Sequence, residues 1–426
     1  MDIFWDITNK CNLRCKHCYN SEELELNNPE LTLSECLSII NKLPKNSKIH
    51  FLGGEPLLKK GLEDIIALIS KKKLTYSMTT NGLLLDNSTI EMLTNSNLNY
   101  IVFSIDGYNK ETHEVIRGHN TFDNLLININ KFTTKTHIQN KNIESYINVV
   151  LNKLNIDDLE QYFNIAKNLN VTGINFSRLF EEGSATNNNL SIDAHTWIEV
   201  CINLTKLNRI FDLNITISAN PKVIKYINCK YNSNYKVVNN LCTFTTSKDN
   251  VYLRYDGGIF PCNKWYISNH KIENNAKNMD IEEITGYINN HPLHSETNNF
   301  YKKQLNYIND ICIKCEFKKV CGFCIISKNY RNNSYYDECF IINKYINVFK
   351  ESMIHKGVKF DCNNFAYTMQ DEYILIEGKN KEFRLKLKGA GRNTFKKIFI
   401  DNESISDIDL DNIYNFIFFK FIYINE

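Results

Sequence analysis

The sequence changes its apolar period repeatedly over its first 180 residues, and this alternation constrains the fold more than any other feature. Short β-branched runs fall at Ile3–Thr8, Lys48–Leu52, Thr75–Thr79, Tyr100–Ile105, Ser145–Leu151 and Gly173–Arg178. Between most of them lie stretches of helical spacing, such as Leu31–Leu43, Leu62–Ser70 and Ile156–Leu169. Strands that alternate with helices pack as parallel β/α units, because a parallel pair needs a crossover long enough to hold a helix. About six units fit before residue 180, too few to close a barrel. The expected fold class is α/β, a partial (β/α)6 TIM-like barrel, with its chemistry on the loops at the C-terminal ends of the strands.

Polar Asn187–Asn189 marks the expected end of the barrel, ahead of a helical Trp197–Ile210 region. The expected divisions are 1–185 for the barrel, 186–228 for a helical linker, 229–362 for a loop-rich region organised by metal, and 363–426 for a small α+β extension. The last contains strand-like runs at Glu372–Glu377 and Phe383–Lys388 and a strongly apolar Ile413–Tyr423.

A formal charge of +2 gives no electrostatic basis for binding nucleic acid. No apolar run reaches the roughly 18 residues of a membrane span. The N-terminal MDIFWDITNKC lacks the pattern of a secretory signal, so the expected compartment is the cytoplasm. Thiols stay reduced there, and clustered cysteines then point to metal or redox chemistry. The fourteen cysteines are clustered. Cys11, Cys15 and Cys18 sit in the loop after the first strand. Cys242, Cys262, Cys312, Cys315, Cys321, Cys324 and Cys339 form a second set. Cys36, Cys201 and Cys362 read as small core residues.

The first loop, CNLRCKHCYN, offers three thiolates in eight residues and no fourth. A structural zinc site closes with four ligands. Three thiolates on a four-iron cluster leave one iron open for a ligand. Zinc or a plain thiol loop is the alternative. The next strands end in Gly53-Gly54-Glu55-Pro56, Thr79-Thr80-Asn81-Gly82 and Ser104-Ile105-Asp106-Gly107, the last followed by His113 and Ile116-Arg117-Gly118. Two glycines after a strand permit close approach to the backbone, and Glu55 is an acceptor for an ammonium group. Each motif alone also reads as a turn or a cap.

On these residues the chain resembles the radical S-adenosylmethionine (SAM) enzymes over roughly residues 1–180. The resemblance implies that Cys11, Cys15 and Cys18 hold a 4Fe–4S cluster whose open iron takes the amino and carboxylate groups of SAM. It implies that His17, at the aromatic position before the third cysteine, packs near the adenosyl group. Gly54 and Glu55 would receive the methionyl ammonium, Ser104 would lie near the carboxylate, and Ile116 and Leu179 would line the nucleoside pocket. Reductive cleavage of SAM would yield a 5′-deoxyadenosyl radical, the electron coming from a reductant such as flavodoxin or ferredoxin.

In the second set, Asp256-Gly257 is a hairpin signal between Val251–Tyr255 and Ile259–Cys262. Paired cysteines two residues apart, as in Cys312/Cys315 and Cys321/Cys324, are also zinc spacing. Beside the first half, the set resembles the SPASM domain of radical SAM maturases. It departs in one place, with two residues rather than the usual three between the fifth and sixth cysteines. The resemblance implies two auxiliary 4Fe–4S clusters, one on Cys242, Cys262 and Cys324, the other on Cys312, Cys315, Cys321 and Cys339. Sulfatase maturases close the first cluster with an extra cysteine near the first of the seven. That resemblance makes Cys229, thirteen residues ahead of Cys242, the candidate fourth ligand, within reach because loop closure costs grow slowly with length. The alternative is an unligated thiol, which leaves an iron open to substrate sulfur.

The expected function is maturation of a ribosomally made peptide, by a thioether or another crosslink. The substrate is then a peptide or protein. A formylglycine-forming oxidase of the sulfatase-maturase kind is the alternative, but such enzymes carry an Asp after the cysteine matching Cys262. Asn263 stands there and cannot act as a base. A non-catalytic zinc protein is the third reading. The cluster loop begins at residue 11, so leader recognition is expected from a separate protein or from 363–426.

Overall fold

In β1 (Asp2–Thr8), Ile3, Trp5 and Ile7 are buried almost completely, and Phe4 on the other face is partly exposed. The sheet continues with β2 (Lys48–Gly53), β3 (Thr75–Thr80), β4 (Leu98–Ser104), β5 (Glu144–Leu151) and β6 (Gly173–Arg178). Burial alternates cleanly along β5, whereas β3 and β4 carry buried runs, as strands covered on both faces do. These six strands are parallel and stand in chain order. Their register aligns Phe4 with His50, Ser77 and Tyr100 across one face. On that face the Phe4 and His50 rings stack at 4.8 Å, and Ser77 and Tyr100 both hydrogen-bond His50 Nδ1. The opposite face carries Trp5, Phe51 and Tyr76, ring against ring. The chain is thus an α/β protein, and the parallel arrangement puts every strand's C-terminal end on one rim.

The computed structural model describes residues 1–25, 29–236, 250–260, 262, 274–290, 315, 317, 334–356, 358–360, 365–370, 372–378, 384–399, 410–418 and 422–424. Two units divide the chain: Met1–Ala219 with Val238–Tyr335, and Asn220–Val237 with Tyr336–Glu426.

In the first unit the crossover helices form where the sequence supplies caps and an apolar stripe. Helix Leu33–Lys42 starts at a capping box, Thr32 with Glu35, worth about 1 kcal/mol. It buries Cys36, Ile39 and Ile40. Helix Leu62–Lys71 buries Leu62, Ile65, Ile66 and Ile69, the i, i+3, i+4, i+7 face. Each such side chain contributes roughly 1.5–3 kcal/mol. The sheet also continues past residue 187. Helix Ala194–Phe211 crosses over to β7 (Asn214–Ser218), parallel to β6, and β8 (Asn250–Leu253) lies parallel to β1. β7 is short, and only Ile215 and Ile217 are buried in it, so its sequence signal is weak. The Asp256-Gly257 hairpin forms as its turn residues require: β9 (Ile259–Phe260) pairs antiparallel with β8, and Gly257 has φ +88°.

The second unit is built on helix Pro221–Tyr231, which begins with Pro behind an Asn220 cap. Its Tyr226 packs edge-on against Tyr345 and Phe349 of helix Ser334–Lys356. Phe349 in turn meets Tyr414 of helix Leu410–Phe418. Strands Phe365–Met369, Ile374–Gly378 and Arg384–Leu387 form an antiparallel sheet, so the extension is α+β. Among the described residues, no helix is long and apolar enough to cross a membrane.

Candidate active site at the strand C-termini

The cysteine loop leaves β1 and is tied to three other segments of the rim through its backbone. Glu55 N donates to Lys10 O at 2.7 Å, Lys16 N to Ile116 O at 2.9 Å, and Ser184 N to Cys18 O at 3.0 Å. The first tie explains the two glycines. A Cβ on Gly54 would lie 2.1 Å from Lys10 O, and one on Gly53 2.4 Å from Thr8 O. The backbone approach that they allow is that of the cysteine loop itself.

Cys11, Cys15 and Cys18 face one cavity of about 360 Å³. Its wall also includes His17, Gly54, Glu55, Ser104 and Leu179, five of the residues singled out from sequence. The sixth, Ile116, is buried outside the lining and supplies only the carbonyl that accepts from Lys16. Burial raises all three thiols, Cys18 to about 11. Burial disfavours their thiolate forms, as it does for Cys36, and a bound metal group would displace their protons. Among the described residues, no three His, Cys, Asp or Glu side chains are placed to hold a single metal ion. Three cysteines on one cavity wall are a donor set of the kind that binds iron–sulfur clusters.

Glu55 is buried, and its burial pushes the carboxyl up. Oε1 accepts from Thr80 Oγ1 at 2.6 Å and Leu57 N at 3.2 Å, and Oε2 from Asn81 N at 2.8 Å. A carboxylate has about four acceptor positions, so Oε2 keeps a lone pair for a ligand. Asn81 Nδ2 also donates to Asn12 Oδ1 in the cysteine loop. His17 Nε2 lies 2.7 Å from Asp106 Oδ2, while its Nδ1 is buried with no protein partner. His17 itself lines the cavity, its ring oriented by the Asp106 contact.

Arg117, Asn81 and Asp106 belong to this site although the motif reading assigned them no role. Arg117 and Asn81 line the cavity. Asp106 is wholly buried and accepts from Val150 N at 2.7 Å and Arg117 Nε at 2.5 Å. Although burial opposes its ionisation, the Arg117 charge and His17 hold its carboxyl below the usual range. The available signal was the Asp-Gly and Arg-Gly pairs after the fourth strand, which read equally as a turn and a helix end.

Of the other predicted ligands, Cys229 is buried on helix Pro221–Tyr231 in the second unit, its Sγ 3.6 Å from Tyr414 O. Cys339, also in that unit, accepts from Asn220 Nδ2 at 3.2 Å. Cys262 and Cys315 are half-buried in the first unit. Cys242, Cys312, Cys321 and Cys324 lie outside the described residues, as do Asn263 and Cys362.

Residues 5–166 match the family model of the radical SAM superfamily, and this part of the chain is a radical SAM domain. Fe-coproporphyrin III synthase of Methanosarcina barkeri is 29% identical over 198 residues, covering 45% of this chain and 48% of that protein. PqqA peptide cyclase of Granulibacter bethesdensis is 32% identical over 120 residues, 28% of this chain and 32% of that one. The chain spans about half the length of the curated relatives it matches. Among solved structures, Streptococcus suis SuiB bound to precursor peptide SuiA shares the fold, with TM-score 0.58 over 76% of this chain and 72% of that chain at 17% identity.

Proposed function

We propose that the chain is a radical SAM enzyme that modifies a ribosomally made peptide, forming a thioether or another crosslink. The observation that carries this reading is the meeting of Cys11, Cys15, Cys18, Glu55 and Ser104 on one cavity at the strand C-termini. The peptide class is supported by two likenesses: one relative is named a peptide cyclase, and SuiB was solved with a precursor peptide. When bound to the three cysteines, a 4Fe–4S cluster with SAM supplies a 5′-deoxyadenosyl radical that abstracts hydrogen.

The chain's own residues then bind and orient. The open lone pair on Glu55 Oε2 takes an ammonium hydrogen. The Ser104 hydroxyl is the donor for a carboxylate. The His17 ring, oriented by Asp106, packs near the adenosyl group. Leu13, Leu24, Leu52 and Leu179 give the wall its apolar part and exclude water from a radical. We extend the reading to two auxiliary clusters, one on Cys229, Cys242, Cys262 and Cys324, the other on Cys312, Cys315, Cys321 and Cys339. A flavodoxin or ferredoxin is the electron donor in this reading, and leader recognition falls to a separate protein or to 363–426.

A second reading, a tetrapyrrole substrate, is favoured by the likeness to Fe-coproporphyrin III synthase. Anaerobic coexpression with candidate precursor peptides, followed by mass spectrometry, separates the two. Peptide crosslinking appears as loss of a hydrogen pair. Unmodified peptides alongside formation of an iron coproporphyrin from an added iron tetrapyrrole precursor would replace the first reading by the second.

A further inference from the structure

A largely buried cation is held against one sulfur of the cysteine loop by the same carboxylate that orients His17. Arg117 Nη1 lies 3.9 Å from Cys15 Sγ. On the far side of the guanidinium, Nε lies 2.5 Å from Asp106 Oδ2. Asp106 is itself fixed by Val150 N and His17 Nε2, each at 2.7 Å, and its backbone carbonyl accepts from Asn155 Nδ2 at 2.9 Å. The loop is anchored to the same helix end, since Lys16 N donates to Ile116 O, next to Arg117. The distance from charge to sulfur is thus set at both ends.

We propose that Arg117, aimed by Asp106, is a positioning residue that raises the reduction potential of the cluster bound through Cys15, and this rests on the cluster reading above. Reduction adds one electron, from a low-potential donor, to a group ringed by thiolates. Net charge and hydrogen bonds to the sulfurs are among the factors that set such potentials. A fixed positive charge at a ligand sulfur stabilises the reduced form more than the oxidised one. Burial keeps that effect large: Asp106 is fully buried and the Arg117 side chain is 11% exposed. Arg14 makes a useful contrast. It bonds only carbonyls of the loop and is exposed, so solvent screens its charge. Asp106 opposes Arg117 from the side away from the sulfur, so the two act with opposite sign.

The test is a potentiometric titration of the full-length, anaerobically reconstituted protein. It follows the electron paramagnetic resonance signal that changes when SAM is added, and it is run without SAM. Arg117→Gln is expected to move the midpoint to more negative potential and Asp106→Asn to more positive potential. Arg117→Lys should fall between wild type and Arg117→Gln. An Arg117→Gln protein with wild-type cluster content and an unmoved or more positive midpoint overturns the proposal. So does loss of the cluster from both Arg117→Gln and Asp106→Asn, which would make the pair a prop for the loop. If only one variant keeps its cluster, the sign of its shift decides. A wild type with no SAM-responsive cluster would instead sink the reading of the site itself.

Discussion

Gly54 is where the cysteine loop and the turn after β2 are joined, and no side chain fits between them. A methyl group there would lie 2.1 Å from Lys10 O and 2.6 Å from its carbonyl carbon. Both are backbone atoms, which cannot swing aside as a side chain can. Gly54→Ala should therefore cost about 1–3 kcal/mol, the usual range for overpacking, read as a lower urea midpoint at unchanged slope. A wild-type midpoint would show that the loop and turn can part freely. At this scale the sequence was informative where a residue's chemistry is rare at its position: three thiols in eight residues, or a glutamate behind two glycines. It was uninformative for Asp106 and Arg117. Their roles arise only when the fold brings them to His17, which is 89 positions from Asp106.

Among the elements, helix Lys110–Arg117 links the site to stability. Its start is fixed by an Asn109–Thr112 capping box, and its face buries His113 and Ile116. His113 packs so closely that a Cβ on Gly107 would lie 2.0 Å from its N. Burial, aided by the Arg117 charge, holds its imidazole down at about 4. An unfolded histidine titrates near 6.5. Between these values the unfolded chain takes up a proton that the folded one refuses, so stability falls as pH drops from about 6.5 toward 4. The His113 share is on the order of 3 kcal/mol across that window. His113→Phe should flatten this part of the pH profile of the urea midpoint. An identical profile in the variant would mean that His113 does not govern it. The elements themselves were mostly legible, because caps and periodicity are local. β7 was not, since its pairing with β6 is decided by the sheet.

Across the whole molecule the alternation of strands and helices foretold the parallel sheet and hence the single rim that gathers the site. It did not foretell the division into two units, because residues 220–237 join residues 336–426 across a long gap in sequence. With Cys229 as a ligand of the first auxiliary cluster, Cys229→Ala should hold about four fewer irons than a wild type with about twelve. An unchanged iron count and an unchanged resonance spectrum would remove Cys229 from the ligand set. The central claim concerns the cavity at the rim, and the formation of 5′-deoxyadenosine from SAM tests it most directly. With dithionite under anaerobic conditions, the reconstituted wild type is expected to form it and Cys15→Ala to lose that activity. Formation at the wild-type rate by Cys15→Ala, or none by a cluster-loaded wild type, would contradict the account.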